Sequence, residues 1–175
     1  MAVVLPTVDF PSDITEVLLK AHVGQTVEDF CSMFGKKGDV HNHCAHWVSH
    51  ALGFRIGKLC NAMTWDHRKN AEAGRSLNVD SLFNQCPERG YWKDRPSDLT
   101  SCLMFAILPH GIGTAKGSKT LTMSAIPNKH VGIWFGGQVY NYHNKTGEGV
   151  HADPTDFFDT LYGKKTVVLY GTFPK

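Results

Sequence analysis

The chain has 175 residues, with 18 basic and 16 acidic side chains and a formal net charge of +2. An apolar share of 42% is ordinary for a globular protein, and a chain of this length can bury a substantial core, which excludes a disordered or fibrous protein. The charges nearly cancel and do not cluster, so we expect no nucleic acid as the main partner.

The N-terminal segment, the apolar runs and the cysteines exclude further classes of protein. The segment MAVVLPTVDF lacks a basic leader and a long apolar stretch, so we expect a chain made and folded in the cytoplasm without a secretory signal. No apolar run is long enough for a bilayer, so we expect no membrane insertion. The five cysteines include no CxxC pair, which excludes a zinc ribbon or a thioredoxin motif. No repeat or linker interrupts residues 1–175, which predicts a single domain.

The first half of the chain predicts helices. A helix from near Ser12 to Gly24 would face inward through apolar residues at helical spacing: Ile14, Val17, Leu18 and Ala21. Thr26 and Asp29 predict a capping box at the start of a second, short helix that stops at Gly35. Asn42 is a good N-cap for a third helix that ends at Gly53. Its inward face would carry Cys44, Val48, Ala51 and Leu52. A fourth, short helix would begin near Val79 and stop at Pro87.

The second half predicts strands. Leu99 to Leu108 is strand-like, and a Gly-rich stretch from about His110 to Thr120 predicts a loop. HVGIWF and QVYNYH flank Gly136-Gly137 and predict a hairpin, a short helix would open at Asp153, and 165–173 predicts a closing strand. The order predicts an α+β fold, with N-terminal helices packed on an antiparallel β-sheet.

Cys44 is the best candidate for a nucleophile. A cysteine attacks as its thiolate, which the positive end of a helix and a neighbouring imidazole both favour. Cys44 lies in the first turn of the third predicted helix, whereas Cys86 lies at a helix C-terminus and Cys102 in a core strand.

His130 is the candidate base because it begins the first strand of the hairpin, where its imidazole is held by a rigid element. A third residue must accept the other ring N–H and orient the ring. Asn141 on the returning strand and His143 two residues later are the two candidates, and we place Asn141 ahead.

These residues resemble a known family. HCAHWV resembles the nucleophile motif of the NlpC family of bacterial cell-wall peptidases, and HVGIWFGGQVYNY resembles its histidine motif. The segment 95–105 resembles the strand that precedes that histidine. The resemblance implies a papain-like (NlpC-type) fold and a cysteine peptidase or amidase that cleaves amide bonds in peptidoglycan stem peptides. It assigns Cys44 as nucleophile, His130 as base and Asn141 as orienting residue, with no metal and no cofactor.

The chain departs from that family at His43, where the family has aspartate, and at Ala45-His46, where it has Ser-Gly. The number of residues between Cys44 and His130 is also larger than the family pattern leads us to expect, so an inserted segment would form part of the substrate cleft. Weak candidates for the oxyanion hole and cleft are His41, Asn42, His43 and His143. The Cys44 backbone N–H would supply one oxyanion donor.

A small, leaderless enzyme of this type also resembles the antibacterial amidase effectors of type VI secretion. That resemblance implies a toxin exported from the cytoplasm to act in the periplasm of a target cell. It also implies an immunity protein as a partner beside the peptidoglycan substrate.

Two other functions stay open. The histidines between His41 and His50 could hold zinc for a hydrolase, and His46 and His50 stand at i, i+4 on one helix. The glutamate of an HExxH motif is absent. CAHWV also resembles the Cys-x-His-aromatic-Val motif of lecithin:retinol acyltransferase, which implies a thiol acyltransferase or lipid hydrolase. In that family the histidine strand precedes the cysteine, whereas here the hairpin follows Cys44.

Overall fold

The computed structural model describes residues 14–31, 43–53, 78–143, 149–151 and 165–174. The described helices are α1 (Glu16–Ala21), α2 (Val27–Phe30), α3 (Cys44–Ala51) and α4 (Val79–Gln85). The described strands are β1 (Arg89–Tyr91), β2 (Ser101–Ile107), β3 (Ile112–Thr114), β4 (Leu121–Met123), β5 (Lys129–Phe135), β6 (Gln138–Asn141), β7 (Gly149–His151) and β8 (Val167–Gly171). Among these residues, no helix is long and apolar enough to cross a membrane.

Six of the described strands form one antiparallel sheet. Their order is β1-β8-β2-β5-β6-β7, so β8 lies between two strands that come much earlier in the chain. The central pair is β2 with β5, in which Ala106 lies opposite His130. The strands β3 and β4 pair separately as a small second sheet. The α+β class with an antiparallel sheet is therefore confirmed.

The side chains of the sheet divide between two faces because successive residues of a strand point in opposite directions. The helix face packs with the helices in one core cluster, to which Leu103, Phe105, Val131 and Ile133 belong. The opposite face carries a second cluster that includes Cys102, Met104, Ala106, Val139 and Tyr170. Phe83 of α4 meets Phe105 edge to face at 5.1 Å between ring centroids, which places α4 on the helix face.

The first helix is shorter than its sequence pattern predicts. Thr15 is its N-cap and accepts a hydrogen bond from the Leu18 N–H, so the helix begins at Glu16. In this register Leu19 is fully buried, whereas Val17 is 79% exposed. The prediction of an inward Val17 was therefore wrong, because burial against the core and not the spacing of apolar residues fixes which side faces inward.

The other helices follow their local signals. Thr26 and Asp29 form the predicted capping box of α2, but this helix ends at Phe30, before the predicted stop at Gly35. The fourth helix ends at Gln85, and Cys86, just before Pro87, is its C-cap. A proline disfavours helical conformation at the residue before it, which explains this stop. The predicted helix from Asp153 lies outside the described residues.

The strands of the second half are confirmed with one correction. Gly136 and Gly137 both have positive φ, at 58° and 84°, as a tight two-residue hairpin turn requires. The predicted loop from His110 to Thr120 instead contains β3 and leads into β4, which is held to α4 by Asn84. The Asn84 side chain donates to the Met123 carbonyl and accepts from the Met123 N–H, and the Gly-rich composition hid this tertiary anchor.

Candidate active site

Cys44 is the first residue of α3 and is buried, with 1% of its surface exposed. The N-cap is His43, one residue later than the predicted Asn42, and His43 is buried too. Asn42 and His41 lie outside the described residues. The first backbone N–H groups of a helix have no partner within it, and they point toward the end at which Cys44 stands. This position favours a thiolate over a thiol.

The helix α3 is enclosed on nearly every side. Its buried residues are Cys44, Ala45, His46, Trp47, Val48, Ser49 and Ala51, while His50 is partly exposed. The Trp47 indole N–H donates to the His22 carbonyl at 3.2 Å, and the Ser49 hydroxyl donates to the Ala45 carbonyl at 2.7 Å. A helix packed in this way holds Cys44 in a fixed position.

A cavity of about 200 Å³ opens beside Cys44. Its wall is formed by the start of α4 and by the segment leading into β5: Asn78, Val79, Asp80, Ile126, Pro127, Asn128 and Lys129. Lys129 and Asp80 form an ion pair at 2.5 Å across this wall. A cavity with polar groups beside a helix-terminal cysteine can admit part of an extended substrate.

His130 and Asn141 are brought together across the hairpin. The His130 Nε2 atom lies 3.2 Å from the Asn141 Oδ1 atom, and both side chains are buried. If Nε2 carries the proton, the imidazole donates this bond to the amide oxygen. His143, the other candidate, is partly exposed. The structure thus joins the imidazole to the residue that the sequence analysis placed ahead.

Gly132 makes room for this contact. The residue opposite Asn141 in the strand register is Gly132 and not His130, so Asn141 reaches His130 diagonally. A Cβ atom at position 132 would lie 2.7 Å from Val139 Cγ1, 2.9 Å from the Tyr140 carbonyl oxygen and 3.0 Å from Asn141 Cβ. The absence of a side chain at Gly132 leaves the space through which the two side chains approach each other.

Cys44 and His130 belong to different sides of β5. Cys44 shares a core cluster with Val131 on the helix face. His130 lies opposite Ala106, whose side chain belongs to the opposite face, so His130 leaves the strand away from α3. Cys44 nevertheless lines the same cavity as Lys129, the residue directly before His130. The structure thus brings Cys44 to the start of β5, the end of the strand that carries His130.

The other described cysteines lie in the protein interior. Burial raises the pKa of the Cys102 thiol to about 12, and burial also raises the pKa of Cys86 far above its ordinary value. Both therefore stay protonated and unreactive near neutral pH. Cys31, which no sequence pattern marks as a site residue, lies next to His46 and His50. The capping box at Thr26, which begins the short helix α2 just before Cys31, was the signal available for it.

Comparisons with protein-family models, with curated proteins and with solved structures give no match for this chain. Its chemistry must therefore be inferred from its own side chains.

Proposed function

We propose that this protein is a thiol-dependent hydrolase with Cys44 as its nucleophile. The observation that carries the proposal is that Cys44 begins α3 and at the same time lines a cavity. A helix N-terminus stabilises the attacking thiolate, and the cavity gives a carbonyl group a place beside the sulfur. Cys86 and Cys102 are fully buried, and desolvation opposes their ionisation.

The base in this proposal is His130, with Asn141 as its positioning residue. The hydrogen bond of 3.2 Å supports this pairing, because it fixes which ring nitrogen carries a proton and how the imidazole is turned. In the reactive state the His130 imidazole contacts the Cys44 sulfur at the start of β5. Lys129, one residue away, already lines the cavity next to the sulfur.

The chemistry of the proposed reaction is acyl transfer through a thioester. The Cys44 sulfur bonds to the amide carbonyl carbon, and the carbonyl oxygen takes up the negative charge near the Cys44 backbone N–H. The carbon–nitrogen bond then breaks as the His130 imidazolium gives its proton to the departing amine. Water attacks the thioester while His130 takes its proton, which releases a carboxylic acid and restores the thiol.

The proposed fold and substrate follow the motif resemblance. A papain-like (NlpC-type) fold agrees with a cysteine at a helix start that packs on an antiparallel sheet, with a histidine and an orienting residue on neighbouring strands. We propose amide bonds of peptidoglycan stem peptides as the substrate. An antibacterial role in the periplasm of a target cell, opposed by an immunity protein, belongs to the same proposal.

Digestion of purified peptidoglycan tests the substrate. The wild-type protein should release peptide fragments with new amino and carboxyl ends, identified by mass spectrometry, and Cys44→Ala should release none. Cys102→Ala is the matched control, because it removes a buried thiol from the opposite face and should keep the activity. Identical fragment patterns from the wild type and Cys44→Ala would sink the proposal.

A separate experiment tests whether His130 reaches Cys44. The rate at which iodoacetamide alkylates Cys44 near neutral pH should fall in His130→Ala, because the thiolate loses its partner. His110→Ala is the control, since His110 is exposed and lies outside the site. An unchanged rate in His130→Ala would show that the two groups never meet and would remove His130 from the mechanism.

Expression in a bacterial host tests the antibacterial role. The chain directed to the periplasm by an added signal sequence should lyse the cells, and the same chain kept in the cytoplasm should not. Periplasmic Cys44→Ala, produced at the same level, should be harmless. Equal survival with the active and the Cys44→Ala proteins in the periplasm would exclude this role.

A further inference from the structure

A cluster of sulfur and imidazole groups lies between α2 and α3, beside the proposed active site. One ligand atom each from Cys31, His46 and His50 lies within 4.8 Å of the others. Cys31 is the C-cap of α2, and the two histidines lie one turn apart on α3. Cys31 and His46 are buried, and His50 is partly exposed. Three groups of this chemistry at this distance are a ligand set for a transition metal.

The two imidazoles already stand at the spacing that a shared metal requires. The Nε2 atoms of His46 and His50 are 3.1 Å apart. Two nitrogens bound to one tetrahedral Zn²⁺ at about 2.0–2.1 Å each lie about 3.3 Å from one another. Lone pairs on both nitrogens repel at this distance unless a proton or a cation lies between them. Either a hydrogen bond between the two neutral rings or a shared metal ion satisfies both nitrogens at this distance.

His43 supplies the outer partner that such a site needs. Its Nδ1 atom lies 3.1 Å from Nδ1 of His46. If His46 binds a metal through Nε2, its Nδ1 carries the proton and donates to His43. Metal-binding histidines characteristically give their second N–H to such a partner, which fixes the tautomer and the ring orientation. A single set of tautomers thus satisfies both the metal and the hydrogen bond.

We propose that Cys31, His46 and His50 bind a structural Zn²⁺ ion that joins the end of α2 to α3. The sequence resemblance implies no metal, although zinc at the histidines between His41 and His50 stays open as an alternative, and Cys31 is not among the ligands expected there. Thiolate and imidazole together favour Zn²⁺ over the harder Mg²⁺ or Ca²⁺. The burial of Cys31 and His46 between α2 and α3 suits an ion that holds the two helices together, and a water molecule would complete its tetrahedral coordination. The proposal does not depend on the hydrolase activity.

Phe30 shows how the metal would act on the fold. Its ring centroid lies 5.2 Å from that of His46, 5.3 Å from that of His50 and 5.7 Å from that of Tyr142. The Phe30 ring, at the end of α2 and directly before Cys31, therefore packs against both histidines of the metal site. Fixing this end against α3 orders a helix of only four residues, which is too short to be stable on its own.

Metal titration of the untagged full chain tests the site directly. Atomic emission analysis should find about one Zn²⁺ per folded chain. Co²⁺ in place of Zn²⁺ should give the intense absorption in the visible range that marks tetrahedral coordination, with a sulfur-to-metal band at shorter wavelength. Both bands should be lost in Cys31→Ser, and the affinity should fall on the order of 100-fold in His50→Ala. His43→Ala should weaken it about 10–100-fold without removing the sulfur band.

Control variants outside the cluster show whether any loss of metal binding is specific to the proposed ligands. Cys102→Ser and His22→Ala change the same residue types outside the cluster and should bind the metal as the wild type does. Circular dichroism confirms that each variant is folded. Folded wild-type protein that binds no Zn²⁺ or Co²⁺ at micromolar concentrations overturns the proposal. A sulfur band that persists in Cys31→Ser also overturns it.

Discussion

Asn141 reaches the imidazole of His130 diagonally across the β5–β6 pair, at 3.2 Å between Oδ1 and Nε2. The residue directly opposite Asn141 is Gly132, so the contact skips one position of the register. Both polar side chains are buried, and a buried polar group without a partner costs about 1–3 kcal/mol. Each side chain thus stabilises the position of the other, which links the geometry of the proposed base to the pairing of two strands.

Replacement of Asn141 should show whether Asn141 or His143 orients the His130 imidazole. Asn141→Ala removes the acceptor for the His130 imidazole, so kcat for peptidoglycan cleavage should fall on the order of 10–100-fold with little change in KM. Asn141→Asp keeps an acceptor oxygen at the same reach and should restore most of the rate. His143→Ala should change the rate less than twofold. A larger loss from His143→Ala than from Asn141→Ala would make His143 the orienting residue.

A methyl group at position 132 should damage both the fold and the site. In Gly132→Ala the new Cβ would meet the Tyr140 backbone oxygen and Asn141 Cβ, which cannot move without parting the strands. The free energy of unfolding should fall by about 1–3 kcal/mol, measured by urea denaturation.

Gly113→Ala is the matched control for this change. Its new Cβ would meet only the Thr122 hydroxyl at 3.2 Å, and that side chain can rotate away. Gly113→Ala should therefore cost clearly less stability than Gly132→Ala. Equal costs at the two positions would mean that the close approach at Gly132 does not constrain the hairpin.

Thiol labelling should distinguish Cys44 from the interior cysteines. Brief treatment with iodoacetamide near neutral pH, followed by peptide mapping, should modify Cys44 well before Cys86 and Cys102. Cys44 is itself nearly buried, but it begins α3 and lines a cavity, whereas burial raises the pKa of the other two thiols, which do not line that cavity. In urea all three should react at similar rates. Equal labelling in the folded protein would contradict the placement of Cys44 beside a cavity.

The two interior thiols should also make the protein less stable in alkali. Their pKa values are higher in the folded than in the unfolded chain, where 9.0 is the ordinary value, so folding favours the protonated thiol. This stabilisation is complete below about pH 9 and is lost as the pH rises toward 12, the approximate pKa of folded Cys102.

Urea denaturation at several pH values in that range gives the measurement. The free energy of unfolding should fall by about 1.4 kcal/mol per pH unit for each thiol, and Cys102→Ala should reduce the slope by that amount. If the free energy of unfolding falls equally steeply with pH in Cys102→Ala and in the wild type above pH 9, Cys102 does not contribute to the loss of stability.

Local signals in the sequence predicted much of the fold. The capping box at Thr26, the Gly136-Gly137 turn and the stop of α4 before Pro87 each depend on residues close together in the chain. The sequence failed where distant contacts decide. Val17 is exposed because the packing of α1 selects Leu19, and the Gly-rich stretch forms β3 because the following strand β4 is anchored to Asn84 of α4.

The candidate site, like the fold, has features that local sequence patterns predict and features that only tertiary contacts decide. The start of α3 near Cys44 and the contact between His130 and Asn141 follow from helix and hairpin patterns. The face of the sheet that receives His130 does not, because the side on which the helices pack is a tertiary choice. Cys31 was missed for the same reason, since its neighbours His46 and His50 lie on another helix.

The position of β8 has a consequence for how the protein is made. This strand fills the gap between β1 and β2, so the ribosome synthesises it after both of its neighbours. Until residues 167–171 leave the exit tunnel, the inner edge of β2 stays unpaired and β1 has no neighbour to join. The nascent chain therefore exposes an open β edge from the time β2 emerges until β8 follows, which makes it a natural client for chaperones that shield such edges.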